Sequence, residues 1–418
     1  MEVIKRIETR RGANLNINGI AEKILDKNLS VSTYGLRPDD FFGTTPKLCL
    51  KEGSNILAGT PAFYSKKTPD VKIVSPVSGT IKKIIRGPKR KIENIIIESS
   101  KKQESIVHEV KGWNKMNIND LKQLLMESGN WSFIHQRPYG IMANPLDTPK
   151  SIFVSTAKTD PLHEDYHFVL KDDQKEFQLG IDLLNRLVDQ PVFLGLDKSF
   201  PGYFESIEGV QHYSFKGPHP AGNLSLHIQK LCPLNMNDRV WTVNPEDVVN
   251  IGRFISSGVF SPQRTVAVSG NAVENPKYFR TKIGAELAPI LNKVGIKFDN
   301  IRVINGDVLT GSTALISEYL GYFNNLVTVI PEGSYYRMFG WLPFKDNKIL
   351  SLSNTSLSRL FNRKGFEVDT NLNGEERALV VTGEMEKIFP LDIYPMQLIK
   401  ACMIEDIEKM EALGIYEV

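Results

Sequence analysis

The secondary-structure pattern of the chain changes at about Asn119, and this change constrains the fold more than any other feature. Before that point, short apolar runs alternate with glycine and proline turns, and helical periodicity is weak. The clearest stretch is Leu48–Ile97, in which Gly53 and Gly79 suit turns with positive φ. Pro76 predicts a strand end or edge, because proline cannot donate to a β-ladder. The sequence therefore predicts β structure for this first part of the chain.

Predicted strands and helices alternate over residues 113–258. Ser151–Thr156 has the composition of a buried strand, and apolar residues on either side of it recur at helical spacing. Asn244 and Pro245 are typical of a helix start, and Gly258 is a suitable stop. The alternation predicts an α/β domain with a mainly parallel sheet.

A small α+β unit and a helical tail are predicted for the remainder. Val266–Ser269 is predicted to be a strand and 281–294 a helix, because apolar residues in the latter fall on one face. A longer helical pattern covers Pro395–Leu413, and Gly414 ends it.

Composition excludes several classes of protein. The 418 residues carry a net charge of only +3, so no general attraction to nucleic acid and no nucleic-acid partner are expected. Three scattered cysteines, Cys49, Cys232 and Cys402, form no C-x-x-C motif. This argues against a cysteine-ligated iron–sulfur cluster and a disulfide-built scaffold, and it favours a reducing cytoplasm. No run reaches the ~18 apolar residues of a membrane span, which predicts a soluble or peripheral chain.

Two short motifs have alternative interpretations. His163, Glu164 and His167 match H-E-x-x-H, the pattern of a zinc hydrolase, although a solvated loop or helix end fits the flanking residues better. Arg86–Lys91 is a compact basic loop that suits either anionic lipid head groups or a solvated hairpin tip. The phosphate-binding patterns G-x-G-x-x-G and Walker A are absent.

The stretch Leu48–Ile97 resembles the biotinyl/lipoyl-type barrel-sandwich hybrid. The resemblance is carried by its Lys51-Glu52-Gly53 turn and by Ser75–Ile81. A carrier domain presents a modifiable lysine at a hairpin tip, but Ser65–Asp70 does not match the carrier signature. A structural β module is therefore preferred over a swinging arm.

Nearly the whole chain resembles the NqrA family, the A-subunits of the bacterial Na⁺-translocating NADH:quinone oxidoreductase (Nqr). The motifs that carry this resemblance are spread in order along the sequence: Tyr34–Pro38, Arg137–Gly140, Ile152–Pro161, Phe215–Gly222, Arg280–Ala285, Arg302–Gly311 and Phe389–Pro395.

The resemblance implies a multidomain α/β and α+β chain with four parts. An N-terminal β region with the barrel-sandwich hybrid is expected at 1–112, and a Rossmann-like α/β domain related to the complex I flavoprotein at 113–258. An SLBB (ubiquitin-like) domain is expected at 262–330, and a C-terminal region ending in helix at 331–418.

The resemblance also implies a function. Members of this family are peripheral subunits on the cytoplasmic side of the bacterial inner membrane, without a bound cofactor, that scaffold a sodium-pumping complex. NADH, FAD, FMN, riboflavin and Fe–S centres would lie in partner subunits, and membrane contact would come through those partners, chiefly the B-subunit (NqrB). The chain is then part of a translocase and is not expected to be catalytic alone. A purely structural docking protein without a ligand is the alternative.

Ubiquinone is the candidate ligand that the resemblance implies, at two segments. Aromatic rings there could stack on a quinone, while His135 or Arg137 could hydrogen-bond to a carbonyl oxygen. The alternative is that both segments only pack domains together or contact NqrB. The implied residues are Tyr34, Leu36, Arg37, Trp131, Phe133, His135, Arg137 and Tyr139.

Overall fold

The computed structural model describes residues 5–197, 202–335, 350, 365–372 and 378–418. In these ranges the strands form sheets of seven, six, four and three strands. The strands are β1 Lys5–Glu8, β2 Glu22–Asp26, β3 Thr33–Leu36, β4 Pro46–Leu48, β5 Asn55–Ile56, β6 Pro61–Ser65, β7 Thr68–Val74, β8 Gly79–Arg86, β9 Ile92–Ser99, β10 Ile134–Arg137, β11 Ile141–Met142, β12 Ile152–Ser155, β13 Val192–Leu196, β14 Val210–Lys216, β15 Val240–Val243, β16 Gln263–Ser269, β17 Lys277–Lys282, β18 Ile301–Asn305, β19 Ser312–Ala314 and β20 Leu326–Pro331. The first six α-helices are α1 Ile118–Glu127, α2 Tyr166–Val169, α3 Gln174–Asn185, α4 Leu224–Leu231, α5 Pro245–Ser257 and α6 Leu287–Val294.

The seven-stranded sheet confirms the predicted α/β domain. Its order is β1-β14-β13-β12-β15-β10-β11, and the first five strands are parallel. Strand β12 lies between β13 and β15. The chain adds β13 and β14 on one side of β12 and later adds β15 on the other side, so the strand order reverses at β12. Ligand crevices of open α/β sheets form at such a switch point, beyond the carboxyl ends of the strands.

Helix α5 begins and ends as the sequence predicts. The Asn244 side chain accepts a hydrogen bond from the backbone N–H of Glu246, and Gly258 ends the helix in the left-handed conformation. Helices α3 and α5 cross closely at Gly180 and Gly252. A β-carbon at Gly180 would meet the Val248 carbonyl oxygen, which explains why this crossing uses residues without side chains.

The four-stranded sheet β3-β9-β8-β5 and the three-stranded sheet β4-β6-β7 form the barrel-sandwich hybrid. Phe63, Ile73 and Ile95 are fully buried between them. The hairpin β6–β7 turns at Lys66 and Lys67. This part of the fold confirms the predicted β module.

The six-stranded sheet β19-β18-β20-β16-β17-β2 corrects one prediction from the sequence. The apolar spacing of 281–294 predicts a helix throughout, but the start of this segment belongs to β17, which pairs with β16 along its length. The helix α6 begins only at Leu287. Strand pairing across β16 outweighs the local helical pattern, which is a common tertiary effect.

The N-terminal strands join the two large sheets before the chain enters the barrel-sandwich hybrid. Strand β1 pairs in parallel with β14, and β2 pairs in parallel with β17. Both therefore lie at sheet edges that are formed by residues about two hundred positions later in the chain.

The predicted continuous helix over Pro395–Leu413 is wrong, because the tail forms two helices, Pro395–Met403 and Ile407–Ala412. Glu405 between them has a φ of 57°, which ends the first helix, and the Asp406 side chain caps the second. Much of the predicted C-terminal region, at 336–349, 351–364 and 373–377, lies outside the described residues. Within the described ranges, no helix has the length and apolar character to cross a bilayer.

Candidate functional site

The first predicted segment begins in the four-stranded sheet and is hydrogen-bonded to the six-stranded unit rather than open to solvent. Tyr34 and Leu36 lie on β3 and are 7% and 1% exposed. Arg37 follows the strand, and its guanidinium donates to Asp40 at 2.8 Å. Asp40 in turn accepts a hydrogen bond from the backbone N–H of Tyr322, also at 2.8 Å. Arg37 is therefore held beside residues 322–323.

Two of the predicted aromatic residues lie in the core. Trp131 and Phe133 have no exposed surface. The Trp131 indole N–H donates to the Ala143 carbonyl at 2.8 Å, and its ring meets Trp241 edge-on. Phe133 stacks on Phe260 with ring centroids 5.6 Å apart. In this conformation both rings are covered by neighbouring side chains, and neither has a face that is open to a ligand.

His135 belongs to the group of residues around Phe323. Its ring lies edge-on to the Phe323 ring at 4.4 Å, and Phe41 contacts the same phenyl group at 5.2 Å. Burial, with a smaller contribution from the Arg137 charge, lowers the pKa of His135 to about 4. The imidazole is therefore neutral at pH 7 and offers one hydrogen-bond donor and one acceptor.

The two predicted quinone-binding segments thus come together through only some of their residues. Arg37 and His135 both lie near Phe323, whereas Tyr139 is 47% exposed and lies beneath the Arg239 guanidinium. Arg137 lines a small cavity on the side of the C-terminus, with Tyr416.

A polar cavity of about 320 Å³ adjoins Arg37 and Phe323. It lies beyond the carboxyl end of β12, where the loop with Lys158 and Glu164 faces residues 305–312 of the six-stranded unit. This is the side of the sheet on which the switch point places ligand crevices. Residues of the cavity that the sequence does not predict as site residues include Lys158, Asp160, Asn305, Asp307 and Phe323.

Lys158 and Glu164 form a partly buried ion pair at the cavity wall. The Lys158 ammonium lies 2.7 Å from the Glu164 carboxylate, which is 2% exposed. Burial alone would raise the pKa of Glu164, but the Lys158 charge and the hydrogen bonds to the carboxylate together outweigh burial and hold that pKa below its usual range. Burial would likewise lower the pKa of Lys158, yet the facing carboxylates raise it. Both groups are charged at neutral pH.

The position of β12 in the sheet is the signal that points to this loop. In the sequence, Ile152–Pro161 stands out only through the family resemblance. The rule for ligand crevices singles out Lys158, because it follows a buried strand by three residues.

The H-E-x-x-H motif does not form a zinc site, so the metallohydrolase alternative is wrong. Asp165 caps α2, which begins only at Tyr166, so His163 lies ahead of the helix and the two histidines are not one helical turn apart. Glu164 pairs with Lys158 instead of facing an open site. Across the ranges that the structure describes, no three His, Cys, Asp or Glu residues are grouped to hold a metal.

Comparison with protein families agrees with this architecture. The NqrA N-terminal barrel-sandwich hybrid domain matches residues 7–100, the NqrA second alpha/beta domain 116–260, and the NQRA C-terminal domain 265–315. Together these matches cover the three structural units described above. They define the chain as an NqrA-type protein.

Curated relatives extend this similarity along the whole chain. The A-subunit of the Na(+)-translocating NADH-quinone reductase of Rhodopirellula baltica is 32% identical over 98% of this chain and 90% of its own length. The protein of the same name from Alcanivorax borkumensis is 33% identical over 98% and 92%. The chain therefore belongs to the family of A-subunits of the Na⁺-translocating NADH-quinone reductase. Among solved structures, an NAD⁺-reducing [NiFe]-hydrogenase is 13% identical, with a TM-score of 0.36 over 55% of this chain and 52% of its own.

Proposed function

We propose that this chain works as the A-subunit of a sodium-pumping NADH:ubiquinone oxidoreductase, at the cytoplasmic face of the bacterial inner membrane. The observation that carries this proposal is the similarity to relatives of that name over 98% of the chain. The chain contributes to a translocase and does not catalyse the reaction alone. Its four parts are those expected at 1–112, 113–258, 262–330 and 331–418, and NqrB is its chief partner.

In this role the chain scaffolds the complex, and the redox centres lie in partner subunits. The proposal is supported by the lack of a glycine-rich phosphate loop in the sequence. The three cysteines are free, and they are distributed over the barrel-sandwich hybrid, the α/β domain and the C-terminal tail. Electron transfer from NADH then depends on FAD, FMN, riboflavin and Fe–S centres outside this chain.

We further propose that Arg37 and His135 contribute to the ubiquinone site. Both can donate hydrogen bonds, Arg37 as a cation and His135 as a neutral imidazole. Quinone carbonyl oxygens accept such bonds, and Phe323 supplies an aromatic surface between the two donors. Tyr34, Leu36, Trp131 and Phe133 would then support this group from the core, with Arg137 and Tyr139 further along the same segment.

The test is made in the assembled complex, because ubiquinone reaches its site from the bilayer. Complexes that carry Arg37→Gln or His135→Gln are purified and assayed for NADH:ubiquinone reduction. Loss of one hydrogen bond to the quinone is expected to raise the KM for ubiquinone about tenfold while NADH oxidation by an artificial acceptor is unchanged.

Matched controls separate binding from folding. Arg302→Gln removes a partly exposed arginine of the six-stranded sheet, and His212→Gln removes a histidine far from Phe323 in the sequence. Neither is expected to change the KM. An unaltered KM in both site variants, with normal assembly, would favour the docking role without a ligand. Failure of the chain to purify with the other Nqr subunits would reject the proposed function itself.

A further inference from the structure

An exposed apolar groove lies where the barrel-sandwich hybrid meets the α/β domain. It has a volume of about 560 Å³ and is lined mainly by apolar atoms. This volume is within the range of ligand-binding clefts in proteins. Its lining includes Phe42, Lys67, Pro69, Met126, Met142 and Leu146.

Phe42 and Leu146 project from the two sides of this groove. Phe42 is 74% exposed and Leu146 is 91% exposed, although each is carried on a well-anchored turn. The neighbouring Phe41 is buried against Phe63, which fixes the first turn. Such exposure of large apolar side chains on fixed turns is typical of an interaction surface.

The turn with Leu146 is held by its own hydrogen bonds. The Asn144 side chain accepts from the backbone N–H of Leu146 and donates to Asp147. Lys122 donates to the Pro145 carbonyl oxygen at 2.6 Å. The exposed leucine is therefore presented by a rigid element and not by a loose loop.

Two basic hairpin tips flank the turn that carries Phe42. The backbone N–H of Lys66, at the tip of β6–β7, donates to the Thr45 carbonyl oxygen. At the other end of the turn, Lys91, at the tip of β8–β9, pairs with Asp39 at 2.7 Å. Phe42 thus lies between lysine-rich tips, and Lys67 lines the groove itself.

The net charge of the barrel-sandwich hybrid differs from that of the rest of the chain. Residues 33–99 contain twelve Lys or Arg and six Asp or Glu, a net charge of +6, whereas the whole chain carries +3. The remainder is therefore slightly acidic. Concentrated positive charge around exposed apolar side chains complements an anionic lipid surface, in which phosphates meet lysines and apolar groups enter the acyl boundary.

We infer that this face binds anionic phospholipid directly, with Phe42 and Leu146 inserted at the acyl boundary and the lysine tips on the phosphates. This membrane contact is made by the chain itself, in addition to contact through partner subunits. It does not depend on the proposed quinone site around Phe323, because neither Phe323 nor Arg37 nor His135 lines this groove.

Vesicle co-sedimentation of the full chain tests the inference. Phosphatidylcholine vesicles with about a quarter phosphatidylglycerol are compared with phosphatidylcholine alone, because each basic residue near an anionic surface strengthens binding about fivefold. The chain is expected to bind the anionic vesicles and not the neutral ones. Lys66→Glu with Lys67→Glu, and separately Phe42→Ser with Leu146→Ser, should each reduce the partition coefficient at least about tenfold.

Matched controls use exposed residues away from this face. Lys101→Glu with Lys102→Glu removes another exposed lysine pair, and Leu315→Ser removes another exposed leucine. Both should bind like the native chain. A blue-shifted emission of Phe42→Trp on anionic vesicles would report insertion directly.

Three results would overturn the inference. They are equal binding to both kinds of vesicle, equal losses in control and groove variants, and binding only to the isolated membrane subunits in detergent. None of these results would argue against assembly of the complex or against the effects expected on the KM for ubiquinone. The inference and the proposed function can therefore fail separately.

Discussion

Arg264 and Asp247 form a fully buried ion pair between strand β16 and helix α5. The guanidinium Nη1 lies 2.8 Å from Asp247 Oδ1, and Nη2 donates to the Tyr322 carbonyl oxygen at 2.9 Å. The Tyr322 hydroxyl lies 2.9 Å from that of Ser132. This polar network joins the six-stranded sheet to the α/β domain, and its Tyr322 contacts Phe323 of the proposed quinone site.

Removal of Arg264 is expected to destabilise the chain strongly. Arg264→Ala leaves the Asp247 carboxylate buried without its partner, which costs about 3–5 kcal/mol of unfolding free energy. Chemical denaturation of the purified chain measures this loss. As a control, Arg302→Ala breaks a partly exposed pair with Glu332 and should cost far less, about 1 kcal/mol. Similar losses in both variants would contradict the structural importance of the buried pair.

Loss of Lys158 should have an effect that depends on pH. Because the pKa of Glu164 is lowered in the folded chain, its charged form stabilises the fold above the usual carboxyl pKa, and this stabilisation is lost as the pH falls through the folded pKa. Lys158→Met leaves Glu164 without a cation. Its destabilisation is expected to be larger at pH 7 than at pH 4, where Glu164 can bind a proton.

The measurement compares unfolding midpoints of native and variant chains at both pH values. Lys150→Met, which removes an exposed partner of Asp238, is the control. A destabilisation by Lys158→Met that is the same at pH 7 and pH 4 would argue against a stabilising charge on Glu164.

His135 is expected to remain neutral well below pH 6. Its folded pKa of about 4 is lower than the ordinary value of 6.5, so the unfolded chain binds the proton more tightly. Between pH 7 and pH 5 this difference removes about 2 kcal/mol of stability, and His135→Gln should abolish that part of the loss. Histidine NMR of the native chain gives the direct measurement. A titration midpoint near 6.5 would contradict the burial of this ring.

Phe133 is expected to behave as a core residue. Phe133→Ala empties the space beside Phe260 and should cost about 3–5 kcal/mol, measured by chemical denaturation. Tyr139→Ala, at an exposed ring of the same segment, should change stability far less. If Phe133→Ala instead left stability unchanged and raised only the KM for ubiquinone, Phe133 would contact the ligand after all.

The crossing of α3 and α5 should not tolerate even one methyl group. A β-carbon at Gly252 would collide with the Glu176 carbonyl oxygen, so Gly252→Ala is expected to force the helices apart and cost about 1–3 kcal/mol. Gly53→Ala, at a turn with open space, should cost only about 1 kcal/mol from its positive φ. A neutral or stabilising Gly252→Ala, read by thermal unfolding, would show that the helices can separate freely.

Local patterns predict those elements that local interactions define. The start of α5 at Asn244 and its end at Gly258 follow from capping chemistry. The turns of the first part of the chain predict β structure, whereas the barrel-sandwich hybrid is predicted by the family resemblance of Leu48–Ile97. The strand β17 escapes such patterns because its conformation depends on pairing with β16, which is not encoded in the spacing of its own apolar residues.

The same distinction applies to the candidate site. The family resemblance points to Arg37 and His135, and the fold brings both of them close to Phe323. The sequence cannot show that Trp131 is covered by Trp241, because the two rings come from distant segments of the chain. The quinone-binding role of these residues stays a prediction.

The two N-terminal strands have a consequence for synthesis of the protein. Strand β1 cannot find its partner until Val210–Lys216 has left the ribosome, and β2 must wait for Lys277–Lys282. Both N-terminal strands are thus translated well before they can be fixed, because long-range pairing must wait for both strands. A nascent chain arrested before residue 277 would leave β2 without its partner strand and exposed to chaperones and proteases.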